Sequence, residues 1–326
     1  MTPRFGGACQ DDQETIARHP PIRAHADPAG PRAVPVDARS TGGAARVQLF
    51  HNPASGSYSA ATIAALAAAF TARGATVLPG CSSDGPPTLD ERVTHVCIAA
   101  GDGTVRHIGA AVAASGQAPI LGIYPAGTVN LLAMEGEYPR DPARFADRLL
   151  YGETVRFHYP VAIDGKELFF ASASAGPDSA AIARVSARLK RVIGRLAYVV
   201  AFLGVLRCWR RPRIRLEADR RRIDCEAFYL AKGHFFAGRW TFAPQTRVDI
   251  PTLRLVALTT ARRRDFARFV WALLRGIDPA TLPGIVACDC TTLTASGEAG
   301  VVVQADGDIV ATLPARFALA PPLAFR

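Results

Sequence analysis

Between residues 45 and 152 the apolar positions fall into two alternating textures. Short compact runs, RVQLF (46–50), ATVLPG (75–80), THVCIAAG (94–101) and APILGIYPAG (118–127), read as strands. Longer stretches with helical spacing lie between them. SAATIAALAAAFTARG (59–74) has Ser59 as an N-cap and Gly74 as a stop. A second helix is expected from Thr104 to about Ser115, and a third in DPARFADRLLYG (141–152), with Asp141 and Pro142 as N-cap and first helical residue. Strands alternating with helices predict a parallel sheet covered on both faces, with ligands received at the carboxyl ends of its strands.

After Gly152 the pattern changes. TVRFHYPVAIDGKELFFASASAG (154–176) reads as two strands around an Asp164-Gly165 turn, followed by a helical region over 178–210. Further strands follow in RIRLEA, RIDCEAFYLAKG, LRLVALT, CTTLTA, GVVVQADGD and ARFALAP, interrupted by one helix, RDFARFVWALLRG (264–276). The expected organisation is a flexible tail at 1–44, an α/β domain at 45–152 and a β-rich domain at 153–326.

Charge adds a partner class. The chain carries a net charge of +10, nearly all of it from arginine. Thirteen Arg or Lys lie between 184 and 222, against Glu217 and Asp219 only. They flank LAYVVAFLGVL (196–206) and Trp209, a combination that suits an anionic membrane surface, with an ordinary core helix and a solvated arginine face as the alternative. Zinc-finger, RNP and helix-turn-helix patterns are missing, so nucleic acid is not an expected partner. Seven irregularly spaced cysteines imply reduced thiols rather than a disulfide framework or structural zinc. With no leader pattern and an apolar stretch about half the length of a bilayer span, the expected location is cytoplasmic, peripheral at the membrane.

The candidate chemistry lies in three strand-end turns. Gly101-Asp102-Gly103-Thr104 puts two glycines around a carboxylate and a hydroxyl where a helix begins. Glycines leave room for a bulky ligand, and free N–H groups at the helix start favour an anion. A carboxylate beside phosphate calls for a cation between them, which suggests a metal-bound nucleotide. HNPASG (51–56) and YPAGTVN (124–130) supply similar groups from the first and fourth strands: Ser55 and Gly56, then Gly127, Thr128 and Asn130. Three such turns at one end of one sheet point to a phosphate-lined crevice. Walker and Rossmann glycine patterns are absent, which excludes those two nucleotide sites.

These motifs resemble the diacylglycerol kinase catalytic-domain family, which includes bacterial lipid kinases and sphingosine kinases. The matching residues are Asn52-Pro53-Ala54-Ser55-Gly56, Gly101-Asp102-Gly103-Thr104 and Pro125-Ala126-Gly127-Thr128-Val129-Asn130, with Asp306-Gly307-Asp308 in place of a later D-G-E. The resemblance implies an N-terminal nucleotide domain, a β-sandwich-like second domain whose C-terminal end returns to the first, and a site in the cleft between them. It implies ATP held by Asn52, Pro53, Ser55, Gly56, Gly101, Asp102, Gly103, Thr104, Gly127, Thr128 and Asn130. Mg²⁺ would lie near Asp102 and Asp306, and the base that takes a lipid hydroxyl proton would be Asp308, Asp306 or Asp102. The partners implied are a lipid substrate and an anionic membrane surface, with a homodimer admissible.

The chain departs from the family at four places. His107 stands where the family has Glu, Leu131 where its bacterial branch has Asp, and Asp308 where it has Glu. The D-D-G loop that holds a structural magnesium in that branch falls near Asp249-Ile250-Pro251, with one acid left. Three readings follow: a lipid kinase, an NAD-kinase-like small-molecule kinase, and a nucleotide or lipid binder with weak transfer or none.

Overall fold

The computed structural model describes residues 44–82, 85–184, 204–205, 207 and 209–326. The tail expected at 1–44 therefore lies almost wholly outside the described residues, as does most of the basic apolar segment around 196–206.

The first sheet is built as the alternation requires. Strands β1 (Arg46–His51), β2 (Thr76–Cys81), β3 (His95–Ala100) and β4 (Ile120–Pro125) pair in parallel in the order β2-β1-β3-β4. Helices α1 (Ala60–Thr71) and α4 (Pro142–Tyr151) cover one face, where Phe70, Phe145 and Leu149 pack on Val47, Leu49 and Cys97. Helix α2 (Asp102–Ser115) covers the other through Val105, Ile108 and Val112. Ser59 and Asp141 cap α1 and α4 by accepting from the N–H groups of Thr62 and Arg144. The one-turn helix α3 (Leu131–Glu135) follows β4.

The chain then leaves through β5 (Arg156–His158), which the last strand, β18 (Leu323–Phe325), joins to the first sheet: β18 pairs with β4 through Phe325 and Leu121 and with β5 antiparallel. Between them lie two antiparallel sheets. One contains β6 (Val161–Ile163), β7 (Glu167–Phe169), β9 (Ile214–Ala218), β10 (Arg221–Cys225), β14 (Thr292–Gly297) and β17 (Ala315–Leu319). The other contains β8 (Ser172–Ala175), β11 (Ala227–Ala231), β12 (Leu253–Leu258), β13 (Ile285–Cys290), β15 (Val302–Ala305) and β16 (Asp308–Thr312). Their facing sides share one core, in which Phe169, Leu216, Leu293 and Phe317 meet Phe228, Leu230, Leu255 and Val303, so the second domain is a β-sandwich. Helix α5 (Pro177–Arg184) follows β8. Helix α6 (Arg263–Arg275) packs Phe266, Phe269 and Leu273 on Tyr229, Val256 and Leu258.

Three expectations change. Residues 154–176 form four short strands rather than two, because β5 is drawn into the first sheet and only β6 and β7 make the hairpin, with Asp164 and Gly165 both at positive φ. Edge strands β13 and β16 were not expected: both stay partly exposed, and β16 shows no regular alternation of burial. Helix α2 begins at Asp102, not Thr104, so the glycine turn is the first turn of the helix itself. No helix among the described residues is long and apolar enough to cross a membrane.

Candidate active site

The three turns predicted from sequence meet at one end of the first sheet. Asn52 shapes the first: its Oδ1 accepts from Ala54 N at 2.8 Å and its carbonyl from Ser55 N at 3.0 Å. The same side chain reaches the second turn, with Nδ2 donating to Thr104 Oγ1 at 3.1 Å. The first turn also touches the third, through Ser57 N to Ala126 O at 3.1 Å and Ser57 Oγ to Gly127 O at 3.3 Å. Asn130, buried and at φ 61°, locks the third turn by accepting from Gly127 N at 2.6 Å and donating to Gly127 O at 2.8 Å.

The glycines are needed because the turns touch, Gly127 against backbone and Gly56 against a side chain. A Cβ on Gly127 would lie 2.3 Å from Gly101 Cα, and one on Gly56 would lie 2.2 Å from Thr128 Oγ1. Pro53, Gly56 and Thr128 are exposed, and Ser55 is half-buried. Gly101 caps α2 without a side-chain hydrogen bond. The opening N–H groups of a 14-residue helix thus lie among the turns, an arrangement suited to an anion.

The three acids expected to do chemistry have different surroundings. Asp102 caps α3: its Oδ2 accepts from Leu131 N and its Oδ1 from Leu132 N, each at 3.0 Å. Burial pushes its pKa up, against those hydrogen bonds. Asp306 accepts three backbone N–H bonds, from Phe170 at 2.7 Å, Ala171 at 2.9 Å and Ser172 at 3.0 Å. Burial lifts its pKa to about 6; the three bonds oppose this and the charge of Asp102 adds to it. Asp102 therefore braces backbone within the first domain, and Asp306 backbone within the second.

Asp308 is the open member. Its side chain is 50% exposed, and its Oδ2 lies 3.7 Å from where a Cβ on Gly103 would be. That oxygen also accepts from Arg106 Nη2 at 3.0 Å, while Arg106 Nη1 donates to Glu167 at 2.9 Å. Arg106, only 5% exposed, was not singled out from sequence. The available signal was its place four residues after Asp102, a long cation on the inner face of an alanine-rich helix. His107, at the family's Glu position, is exposed. From the tip of this turn a polar chain runs inward: Gly307 N donates to Gln304 Oε1, Gln304 Nε2 to Ser174 Oγ, and Ser174 Oγ to Asp178, which also accepts from Tyr229 OH.

The structural magnesium implied by the resemblance does not fit. Arg247 holds Asp249 through two hydrogen bonds, of 2.8 and 2.6 Å. Lys232, fully buried, reaches into the same loop, and its Nζ donates to the carbonyls of Ile250 at 2.5 Å, Arg247 at 3.1 Å and Thr252 at 3.4 Å. The loop carbonyls thus already face a cation carried by the chain. Burial lowers the Lys232 pKa to about 7, with Asp249 and Glu135 acting against it. Among the described residues no cluster of three or more His, Cys, Asp or Glu could hold a metal ion. A cavity of about 310 Å³, lined by Glu135, Tyr138, Arg148 and His158 among others, contains none of the predicted site residues.

Comparison with known proteins matches both halves of the chain. Residues 46–160 match the diacylglycerol kinase catalytic domain, and residues 171–324 match the YegS C-terminal NAD kinase beta sandwich-like domain. The diacylglycerol kinase of Staphylococcus carnosus (strain TM300) is 23% identical over 231 residues, covering 70% of this chain and 74% of that one. That of Staphylococcus aureus (strain JH9) is 24% identical over 241 residues, covering 72% and 76%. A crystal structure of a diacylglycerol kinase from Bacillus anthracis str. Sterne superposes with a TM-score of 0.65 at 19% identity, over 86% of this chain and 96% of that one. At that identity the superposition speaks for the fold.

Proposed function

We propose that this chain, which belongs to the diacylglycerol kinase catalytic-domain family, is a lipid kinase that moves the terminal phosphoryl group of ATP to the hydroxyl of a lipid such as diacylglycerol or a sphingoid base. The observation that carries this reading is the convergence of the three turns, with Gly101 and Gly127 in backbone contact beside the start of α2. Phosphoryl transfer asks mainly for position and charge neutralisation, which packed backbone N–H groups supply. Asp308 is the proposed base. It is the one acid of the three with an exposed carboxylate, and Arg106 fixes its orientation. Asp102 fixes the third turn and Asp306 the start of β8, while Arg106 joins the glycine-turn helix to the sandwich through Glu167 and Asp308. A Mg²⁺ brought with the nucleotide would supply neutralisation of phosphate charge. Asp102 and Asp306 would face it with the lone pairs their backbone bonds leave free. The expected setting is peripheral, at an anionic membrane surface.

A second reading, nucleotide or lipid binding without transfer, has one observation in its favour: the guanidinium already seated on Asp308. Incubation with radiolabelled ATP and magnesium over diacylglycerol, a sphingoid base, ceramide and NAD separates the alternatives. Transfer to a lipid, abolished in Asp308→Asn while ATP still binds, supports the kinase. Bound ATP with transfer to none selects the binder, and transfer to NAD alone selects the small-molecule kinase.

A further inference from the structure

Helix α6 has two unlike faces. Phe266, Phe269, Ala272 and Leu273 are buried against the sandwich. On the other side Arg264, Arg268, Trp271 and Arg275 follow one another at four-, three- and four-residue steps, which places them on a single stripe. Leu274 lies beside the stripe and Ile277 just beyond the helix end. Trp271 is 58% exposed, Leu274 53% and Ile277 44%. The Arg275 guanidinium stands 5.3 Å from the Trp271 ring centre. Large apolar side chains grouped in water call for a partner.

The same helix is strongly basic. Its single acid, Asp265, accepts through Oδ2 from Thr260 Oγ1 at 2.9 Å and Arg262 N at 3.2 Å, while its Oδ1 lies 3.7 Å from Arg264 Nε and 3.9 Å from Arg268 Nη1, so one half-buried carboxylate faces two arginines whose side chains stay more than half exposed. At the start of the helix Arg207, Arg211, Arg262 and Arg263 line a cleft of about 180 Å³ together with Trp209. Arg263 Nη2 donates to Arg207 O at 2.6 Å, Arg211 lies 3.8 Å from Glu226, and the Trp209 Nε1 is buried without a partner among the described residues.

We propose that the outer face of α6, with the arginine cleft at its N-terminal end, is the surface by which this protein sits on an anionic phospholipid bilayer. Guanidinium forks match lipid phosphates, and an indole with aliphatic neighbours suits the headgroup boundary. A nucleic acid would use the arginines but leave Leu274 and Ile277 in water, so the bilayer explains more of the face. The proposal rests on the lipid-kinase reading only for its purpose, which is to bring the cleft to a substrate that resides in a membrane.

The test is flotation of the full chain with phosphatidylcholine vesicles, with and without about a third phosphatidylglycerol. Binding should require the anionic lipid and weaken with salt. Replacing Arg264, Arg268 and Arg275 together by Gln should weaken it by about a hundredfold, at roughly a tenfold loss or less per charge. Trp271→Ala with Leu274→Ala should weaken it by about tenfold. Brominated lipid should quench the indole emission of the parent chain and quench Trp271→Phe less, a readout that holds even where a multiple variant melts. Equal binding to neutral vesicles, parent-like binding by either variant, absence of quenching, or preference for RNA over vesicles overturns the proposal. Transfer to a detergent-dispersed acceptor separates this surface from the kinase reading: the variants should keep it. A parent chain that floats as described but transfers to nothing would leave the surface standing and remove the kinase.

Discussion

Alanine at Gly127 is the sharpest probe of the crevice, because the structure shows what the added carbon would strike. It would lie 2.3 Å from Gly101 Cα, 2.8 Å from Asn130 Oδ1 and 2.9 Å from Gly101 N. Two of these three atoms are main chain, so no side-chain rotation relieves the clash. Reaching ordinary contact means parting the second and third turns by about 1 Å, a displacement that costs on the order of a hundredfold in rate where catalysis depends on position. The overpacking should cost about 1–3 kcal/mol, which lowers the melting temperature by several degrees and leaves the chain folded.

Two neighbouring glycines supply the contrast. Among the described residues a Cβ on Gly101 meets only Gly127 Cα, at 3.3 Å, so Gly101→Ala should be much milder. A Cβ on Gly103 meets nothing nearer than Asp308 Oδ2 at 3.7 Å, so Gly103→Ala should melt like the parent. Its methyl would nevertheless enter the space between the turn and Asp308, where the nucleotide is proposed to lie. The expected pattern, from calorimetric ATP binding, kcat/KM and thermal melting on the three variants, is distinct for each. Gly127→Ala loses stability and about a hundredfold in kcat/KM. Gly101→Ala loses little, and Gly103→Ala loses nucleotide binding alone. Parent-like ATP binding by Gly103→Ala would refute the ligand's placement, and parent-like melting and binding by Gly127→Ala would refute the contact between the turns.

Other predictions follow from the buried charges. Chelation with EDTA should leave the melting temperature of the parent unchanged, while Lys232→Met should lower stability by about 2 kcal/mol: the charged hydrogen bonds it removes are worth about 1.5–3 kcal/mol each, offset by no longer burying a cation and by the N–H groups of Ile250 and Thr252, which still serve the carbonyls of Arg247 and Ile250. The Lys232 pKa is about 7 when folded and 10.5 in its reference state. The unfolded chain therefore binds the extra proton between those values, and this group's contribution to stability should rise with pH across that window and vanish in Lys232→Met. Burial takes His158 down to about 3, from 6.5. Its contribution is whole above pH 6.5 and is lost as pH falls towards 3, so urea titrations of His158→Gln should show an acid limb shallower by about one proton, or ~1.4 kcal/mol per pH unit. Arg106→Met should lower kcat by about tenfold with little change in KM, because Asp308 loses the group that orients it. Its cost in stability should stay at about 1 kcal/mol, since both acids it leaves are partly in water.

What could be read from the sequence was what depends on local chemistry. The alternation of the first sheet, the caps at Ser59 and Asp141, and the hairpin signal at Asp164-Gly165 all act within a few residues of themselves. The three turns were legible for the same reason, since glycine, asparagine and serine at strand ends have few other uses. The roles of the acids were not legible. Asp102 and Asp306 look like chemistry in one dimension, but their partners are backbone N–H groups, which carry no residue signature. Lys232 escapes notice likewise, because its partners are carbonyls 15 to 20 residues away. The Arg106–Asp308 contact closes over 202 residues, so only the fold could show it.

Helix α2 ties these observations together. Its first residue, Asp102, holds α3 and with it the third turn. Its third, Thr104, receives the first turn through Asn52. Two residues further, Arg106 takes Glu167 and Asp308 from the sandwich, and Gly109 is bare so that Phe170 can lie against it: a Cβ there would be 2.3 Å from the ring. Phe170 N in turn donates to Asp306, which closes the circuit back to the turn bearing Asp308. Eight consecutive residues of one helix therefore position the glycine turns and the proposed base against each other. A nucleotide bound at the start of α2 and a hydroxyl presented to Asp308 would share that frame, so rotation of α2 should impair binding and transfer together. Substitutions beyond Gly109, on the exposed side of the helix, should impair neither.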